Sequence, residues 1–152
     1  MKFYDALLPS NQNDSIEIRE AEPYSYCQFV MGRDHTAFGR ARHPWLTGSA
    51  GWSYTAVTRW ILGIRLSFDG LVIDPCIPRE WKEFEVTRRW RNAVFHIFLR
   101  NPEGVEKGVR MVTLNGMPVE GPIPPQAPGS QNEVAVLMGS PMSEDAANAD
   151  VR

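Results

Sequence analysis

One change of rhythm constrains this chain more than any other feature. Up to about Arg65 the apolar residues recur at helical spacing. From Leu66 onward they recur every second residue. In the first part, Phe3, Tyr4, Leu7 and Leu8 mark a short helix within Met1 to Leu8 that Pro9 ends. Pro23 suits a first helical residue and Gly32 a stop, which predicts a helix over Tyr24 to Met31. Arg33 to Trp45 reads as a basic loop. Ala50, Tyr54, Val57 and Ile61 fall on one face of a helix running to Leu62, with Gly63 as its cap.

In the second part, Leu71 to Ile73 is a short apolar strand ended by Asp74-Pro75. Phe84, Val86, Arg88 and Trp90 alternate with Glu85, Thr87, Arg89 and Arg91. Val94 to Leu99 is apolar on both faces except at His96, which predicts a central strand with a hydrogen-bonded core histidine. Val109 to Leu114 is a strand, and Asn115-Gly116 signals a type I′ hairpin into Met117 to Glu120. Glu133 to Met138 is the last strand, after a connection rich in Pro and Gly. Ser140 to Arg152, small, polar and acidic, is expected to be disordered. Helices followed by antiparallel strands give an α+β fold class in two parts. Two or three helices are too few to bury their own apolar faces, which suggests a piece of a longer protein and a tendency to self-associate.

The formal net charge of −2 argues against a nucleic-acid partner. No apolar run is long enough for a bilayer span, and no signal-peptide core follows Met1, so no membrane partner is expected. Cys27 and Cys76 stand far apart in unlike contexts and read as reduced, buried thiols of a cytoplasmic protein. His and Cys show no metal-ligand spacing. The remaining chemistry gathers at His43-Pro44-Trp45-Leu46-Thr47-Gly48-Ser49-Ala50-Gly51-Trp52. Thr47 offers a hydroxyl, Gly48 lets a ligand approach the backbone, and the N–H groups of a helix start favour an anion. An ordinary helix entry is the plainer reading of the same residues. Trp45 and Trp52 read as a buried wall before they read as a sugar platform. Arg33, Arg40 and Arg42 with His35 and His43 read as a solvated loop.

Several motifs in fixed order resemble the C-terminal end of the glycoside phosphorylases of the chitobiose and cellobiose phosphorylase family (glycoside hydrolase family 94-like). They are Glu22-Pro23-Tyr24 with Gln28-Phe29, Gly32-Arg33-Asp34-His35, Trp45 to Trp52, Ile61 to Arg65, Asp69-Gly70-Leu71, Asp74 to Pro78, Trp81, Phe84 to Arg88 and Asn101-Pro102. The resemblance implies that residues 1–65 end an (α/α)6 catalytic barrel, that 66–139 form a small antiparallel, jelly-roll-like β-sandwich, and that 140–152 are a tail. It implies inverting phosphorolysis of a β-linked disaccharide, with inorganic phosphate as co-substrate and no cofactor. An acid protonates the leaving oxygen while phosphate attacks the opposite face of the sugar.

By resemblance, Thr47 and Gly48 bind phosphate, and Gln28 contacts the sugar. Glu22 either lines the cleft or serves as a helix-terminal carboxylate. The family's catalytic Asp lies upstream of the matching region, so no catalytic residue is assigned, and the isolated chain is expected to be inactive. Family members are commonly dimers, so a homodimer is expected. Two other functions fit the same residues: a non-catalytic β-sandwich module for carbohydrate binding or assembly, and the C-terminal region of a cyclic β-1,2-glucan synthase. Gly32-Arg33-Asp34-His35 argues against the synthase.

Overall fold

The computed structural model describes residues 1–140, so the expected tail lies outside the described residues except for Ser140. The chain divides into two compact units, Met1–Ala56 and a second from Val57 onward. The outcome is a mixture of a few short helices with small sheets, as the α+β reading expects.

The first unit opens with α1 (Lys2–Leu7), a 3₁₀ segment (Pro9–Ser15) and α2 (Ile16–Arg19). The expected helix over Tyr24 to Met31 is absent. In its place β1 (Cys27–Val30) pairs antiparallel with β2 (Ala41–Pro44), which also turns the end of the expected basic loop into a strand. The reason lies in Pro23. Its fixed φ suits a first helical position and the second position of a β-turn equally well. Here the Ser25 N–H donates to the Glu22 carbonyl at 3.0 Å, which closes a turn. The β-forming run of Tyr26, Cys27, Phe29 and Val30 then finds a partner strand. Next comes α3 (Ser49–Thr55), which continues as a π-helical segment over Ala56–Ile61.

In the second unit, the Leu62 N–H donates to the Val57 carbonyl at 2.8 Å, five residues back. Gly63, at φ 69°, ends the helical stretch as expected of a left-handed cap. β3 (Ile64–Leu66) and β4 (Leu71–Ile73) form a hairpin. The main sheet contains β5 (Glu83–Trp90), β6 (Ala93–Arg100), β7 (Val109–Leu114), β8 (Met117–Pro118) and β9 (Gln131–Met138), in the order β5-β6-β9-β7-β8. One pair departs from the all-antiparallel expectation. β6 and β9 run parallel from Val94 beside Gln131 to Arg100 beside Leu137. The thirty residues between them, including the β7–β8 hairpin, supply the long crossover that a parallel pair needs.

β6 is central, as expected, but its two faces differ. Phe95, Ile97 and Leu99 are buried, whereas Phe98 is 38% exposed. With Val134, Val136 and Met138 of β9 and Leu71, Ile77 and Ile123, they make the core. Full burial of one such side chain contributes about 1.5–3 kcal/mol. His96 lies half-buried on the open face and not in the core. Its ring is nonetheless satisfied, at 3.4 Å from the Thr87 hydroxyl and 3.0 Å from Gln131 Oε1. Asn115 takes φ 50° and Gly116 φ 82°, as the hairpin signal requires. The Asn115 Oδ1 also accepts the Glu133 N–H at 2.8 Å, which ties the turn to β9.

Asn101, fully buried, holds the loop after β6. Its amide donates to the Trp81 carbonyl at 3.1 Å and the Val105 carbonyl at 2.9 Å, and its Oδ1 accepts the Val105 N–H at 2.9 Å. Asp74 pairs with Arg65 at 2.9 Å, and the Arg65 guanidinium lies 5.3 Å over the Trp60 ring. Both cysteines are free. Contrary to the expected buried thiols, Cys27 is only half-buried and Cys76, where the backbone bridges to Lys107, is exposed.

Candidate functional site

The site is built within the first unit. Arg19 ends α2 and is only 4% exposed. Its guanidinium donates to the Glu22 carbonyl at 2.9 Å and to the Ser25 carbonyl. A buried cation thus braces the turn that launches β1. Trp45 returns beside this turn: its N–H donates to the Tyr26 carbonyl at 3.2 Å, and its ring packs edge-on to Tyr24 at 5.7 Å. Both His43 and Trp45 have positive φ, at 50° and 70°. These two left-handed residues swing the chain from β2 into the loop that precedes α3.

That loop carries the two hydroxyls at the centre of the site. The Thr47 Oγ1 accepts the Ser49 N–H at 3.1 Å and lies 2.8 Å from the Ser49 Oγ. The arrangement corrects one expectation. The Ser49 N–H at the start of α3 is already taken by Thr47, so it is not free for an anion. The two hydroxyls share one hydrogen bond, which leaves one hydroxyl proton able to donate outward. Gly48 is the N-cap, and its carbonyl accepts the Trp52 N–H at 3.0 Å. A Cβ placed on Gly48 would meet only the Trp52 ring, at 3.7 and 3.9 Å, so the backbone is open to close approach there.

Gln28 on β1 lines a cavity of about 630 Å³ together with Tyr26, Ser49, Trp52 and Ser53. The Tyr26 hydroxyl is 2.7 Å from the Ser53 Oγ, which pins β1 to α3 across this cavity. The structure therefore brings Gln28 and Ser49 to one cavity, with Thr47 bonded to Ser49. Thr47, Gly48 and Glu22 are not among the residues that line it. Glu22 sits by Trp45 instead. Its pKa is lowered, first by a hydrogen bond from its own backbone N–H and next by the Trp45 side chain; desolvation opposes them, and the charge of Arg19 adds the least. Trp45 and Trp52 do not form a buried wall. They are 63% and 76% exposed, although Trp45 packs edge-on to Tyr24 and Trp52 lines the cavity.

Sequence reasoning missed Ser49, Tyr26 and Ser53. Ser49, inside the Thr47-Gly48-Ser49 run, carried a signal, since a hydroxyl two residues after another invites such a pair. Before β2, the basic loop is held by local bonds: Arg40 pairs with Glu20, and His35 Nδ1 accepts the Ala37 N–H at 3.0 Å. Among the described residues, no group of His, Cys, Asp and Glu could hold a metal ion, and no helix is long and apolar enough to cross a membrane.

Residues 1–63 match the model of the glycosyl hydrolase 94 superfamily, catalytic domain. The chain is also 63% identical, over 91% of its length, to an N,N'-diacetylchitobiose phosphorylase of Vibrio proteolyticus. The chain belongs to the glycosyl hydrolase 94 superfamily. A second N,N'-diacetylchitobiose phosphorylase, from Vibrio furnissii, is 58% identical over the same share of the chain. A solabiose phosphorylase of Paenibacillus borealis is 30% identical over 80% of the chain. The chain spans 17% of the length of each Vibrio relative and 16% of the Paenibacillus one. The glycosyl hydrolase 94 match ends at residue 63, next to Gly63–Ile64, where the helical stretch gives way to β3.

Proposed function

We propose that this chain supplies the phosphate-facing edge and part of the sugar contacts of an inverting disaccharide phosphorylase, a glycosyltransferase of carbohydrate metabolism. In this reading, residues 1–65 close an (α/α)6 catalytic barrel and 66–139 form a small β-sandwich domain. The reaction transfers a glycosyl group from a β-linked disaccharide such as N,N'-diacetylchitobiose or cellobiose to inorganic phosphate, in the cytoplasm, without a cofactor.

The observation that carries the proposal is the convergence at the start of α3. Gln28 and Ser49 share a cavity, and the Ser49 hydroxyl is bonded to Thr47 beside an unobstructed Gly48. Phosphate is already an anion, so its attack needs no general base. It needs donors that hold it against the sugar face opposite the leaving oxygen. The free proton of the Thr47–Ser49 pair and the open backbone at Gly48 suit that task. A hydrogen bond to a charged group contributes about 1.5–3 kcal/mol, so one such donor is worth roughly ten- to a hundredfold in phosphate binding. Gln28 orients a sugar hydroxyl through an amide that both donates and accepts. Glu22, tied to Trp45 and charged across the neutral range, offers an acceptor to the sugar from the side of the loop.

No Asp of this chain is assigned as the acid, and the purified chain is therefore proposed to be inactive. With phosphate and N,N'-diacetylchitobiose or cellobiose, phosphate consumption is expected to stay at background. Turnover above background would refute the assignment of the acid to a segment outside this sequence.

A further inference from the structure

Among the described residues, Arg19 is the one charged side chain that is buried. Two of its N–H groups donate to the carbonyls of Glu22 and Ser25, which are neutral and leave its charge uncancelled. Its Nε–H, buried as well, has no hydrogen-bond partner among the described residues. No described carboxylate forms an ion pair with it. Glu20, next along the chain, is paired with Arg40, and Glu22 feels Arg19 only as the smallest of the effects on its carboxyl. A buried cation without a counter-charge is costly. Bracing a turn does not call for one, since a neutral amide donates to a carbonyl as well.

Arg19 also lines the cavity of about 630 Å³, on the same wall as Gln28 and Ser49. No Asp or Glu is among the lining residues, so Arg19 sets the sign of the field inside. We infer that Arg19 is a further phosphate-positioning residue, whose uncancelled charge holds the anion at the Ser49 end of this cavity. It acts through its field and not by contact, because its own N–H groups face the turn or are shielded. The inference rests on the phosphorylase reading and adds to it the charge that the Thr47–Ser49 hydroxyls lack. A hydroxyl proton serves water, a sugar oxygen or phosphate alike, whereas a buried cation favours the anion alone. A sphere of the cavity's volume has a radius of roughly 5 Å, so a charge in its wall sits about 5–10 Å from an anion inside. At an effective dielectric constant of about 20, that distance favours a monoanion by roughly tenfold or more.

The test titrates the full chain with inorganic phosphate at constant ionic strength, followed by NMR at the Ser49 amide and the Arg19 Nε–H. Saturable binding that shifts both signals is expected. Arg19→Gln keeps a donor and loses the charge, and is expected to weaken phosphate binding by about tenfold. Arg19→Lys keeps the charge and is expected to weaken it by about threefold or less. In Arg19→Ala, added guanidinium ion is expected to restore binding, and urea at the same concentration is not. Urea donates to carbonyls as guanidinium does but is neutral, so a role confined to bracing the turn would respond to both alike. If circular dichroism shows Arg19→Ala unfolded, the Gln and Lys variants decide between the two roles. No saturable phosphate binding by the wild-type chain would overturn the inference. So would Arg19→Gln binding as tightly as the wild type, or urea restoring as well as guanidinium. Thr47→Val in the same titration separates the inference from the reading beneath it. Loss in Arg19→Gln with Thr47→Val unchanged refutes the Thr47–Gly48 edge and not Arg19, and the reverse pattern refutes Arg19.

Discussion

Asn101→Ala offers the sharpest perturbation of the β-rich unit. The side chain is fully buried, and three hydrogen bonds of 2.9–3.1 Å hold it to Trp81 and Val105. Truncation removes all three and leaves the Trp81 carbonyl, the Val105 carbonyl and the Val105 N–H without these partners. Each net bond is worth about 1 kcal/mol, and a stranded buried group costs about 1–3 kcal/mol. Water that enters the vacated space offsets part of this, so a loss of roughly 3 kcal/mol is expected. In a unit of this size that lowers the melting temperature by roughly 12–24 °C. Urea and thermal unfolding followed by the β-sheet circular dichroism signal measure it. Asn101→Asp adds a control with a sign. The new carboxylate would be buried and would face two carbonyls, so its folded pKa would rise above its unfolded value. Its protonated form can replace the amide as a donor, so the variant is expected to approach the wild type at low pH. Its deficit should grow as pH rises through the unfolded and then the folded pKa. A change below about 0.5 kcal/mol for Asn101→Ala, within the range of ordinary surface substitutions, would refute the reasoning.

Gly63→Ala is expected to cost more than about 3 kcal/mol, because a Cβ there would fall 2.1 Å from the Asp74 carbonyl oxygen at a φ of 69°; chemical denaturation checks it. Arg91 and Asn92 take φ of 49° and 62° in the turn between β5 and β6, so Arg91→Asn is expected to stabilise the monomer by about 0.5–1 kcal/mol, read from the same unfolding curves. For Glu22, whose folded pKa is depressed, the stabilising effect is present above the unfolded carboxylate pKa and is lost as pH falls through the folded value. Trp45→Phe removes one of its donors, so the Glu22 carboxyl is expected to titrate at higher pH in an NMR titration of its side-chain carbon.

The run of strands after Arg65 was legible because hydrophobic period survives without tertiary information. β7 matched its expected limits, and the Asn115-Gly116 turn took its expected conformation, since positive φ at both positions demands such residues. The expected helix over Tyr24 to Met31 failed because Pro23 and Gly32 mark turns as readily as helix ends. The choice was made by a partner strand more than ten residues away. The Arg91-Asn92 hairpin went unread because arginine is a poor marker for a left-handed position. The parallel pairing of β6 and β9 carried no local sign, since strand direction is set by the path of the connection. At the site, Thr47 and Gly48 stood out in the sequence at a helix entry, whereas Gln28 was suggested only by the family resemblance. The bond from Thr47 to Ser49 and the distance of Glu22 from the cavity depend on backbone geometry that spacing does not record.

The central claim is that the Thr47–Gly48 edge holds the attacking phosphate when the barrel is whole. A chimera tests it most directly: residues 1–138 of this chain replace the matching segment of the Vibrio proteolyticus relative, and phosphate dependence is measured with and without Thr47→Val. The account predicts an active chimera in which Thr47→Val raises the phosphate KM or lowers kcat/KM for phosphate by about ten- to a hundredfold, with the disaccharide KM little changed. An active chimera whose phosphate kinetics ignore Thr47→Val would contradict it.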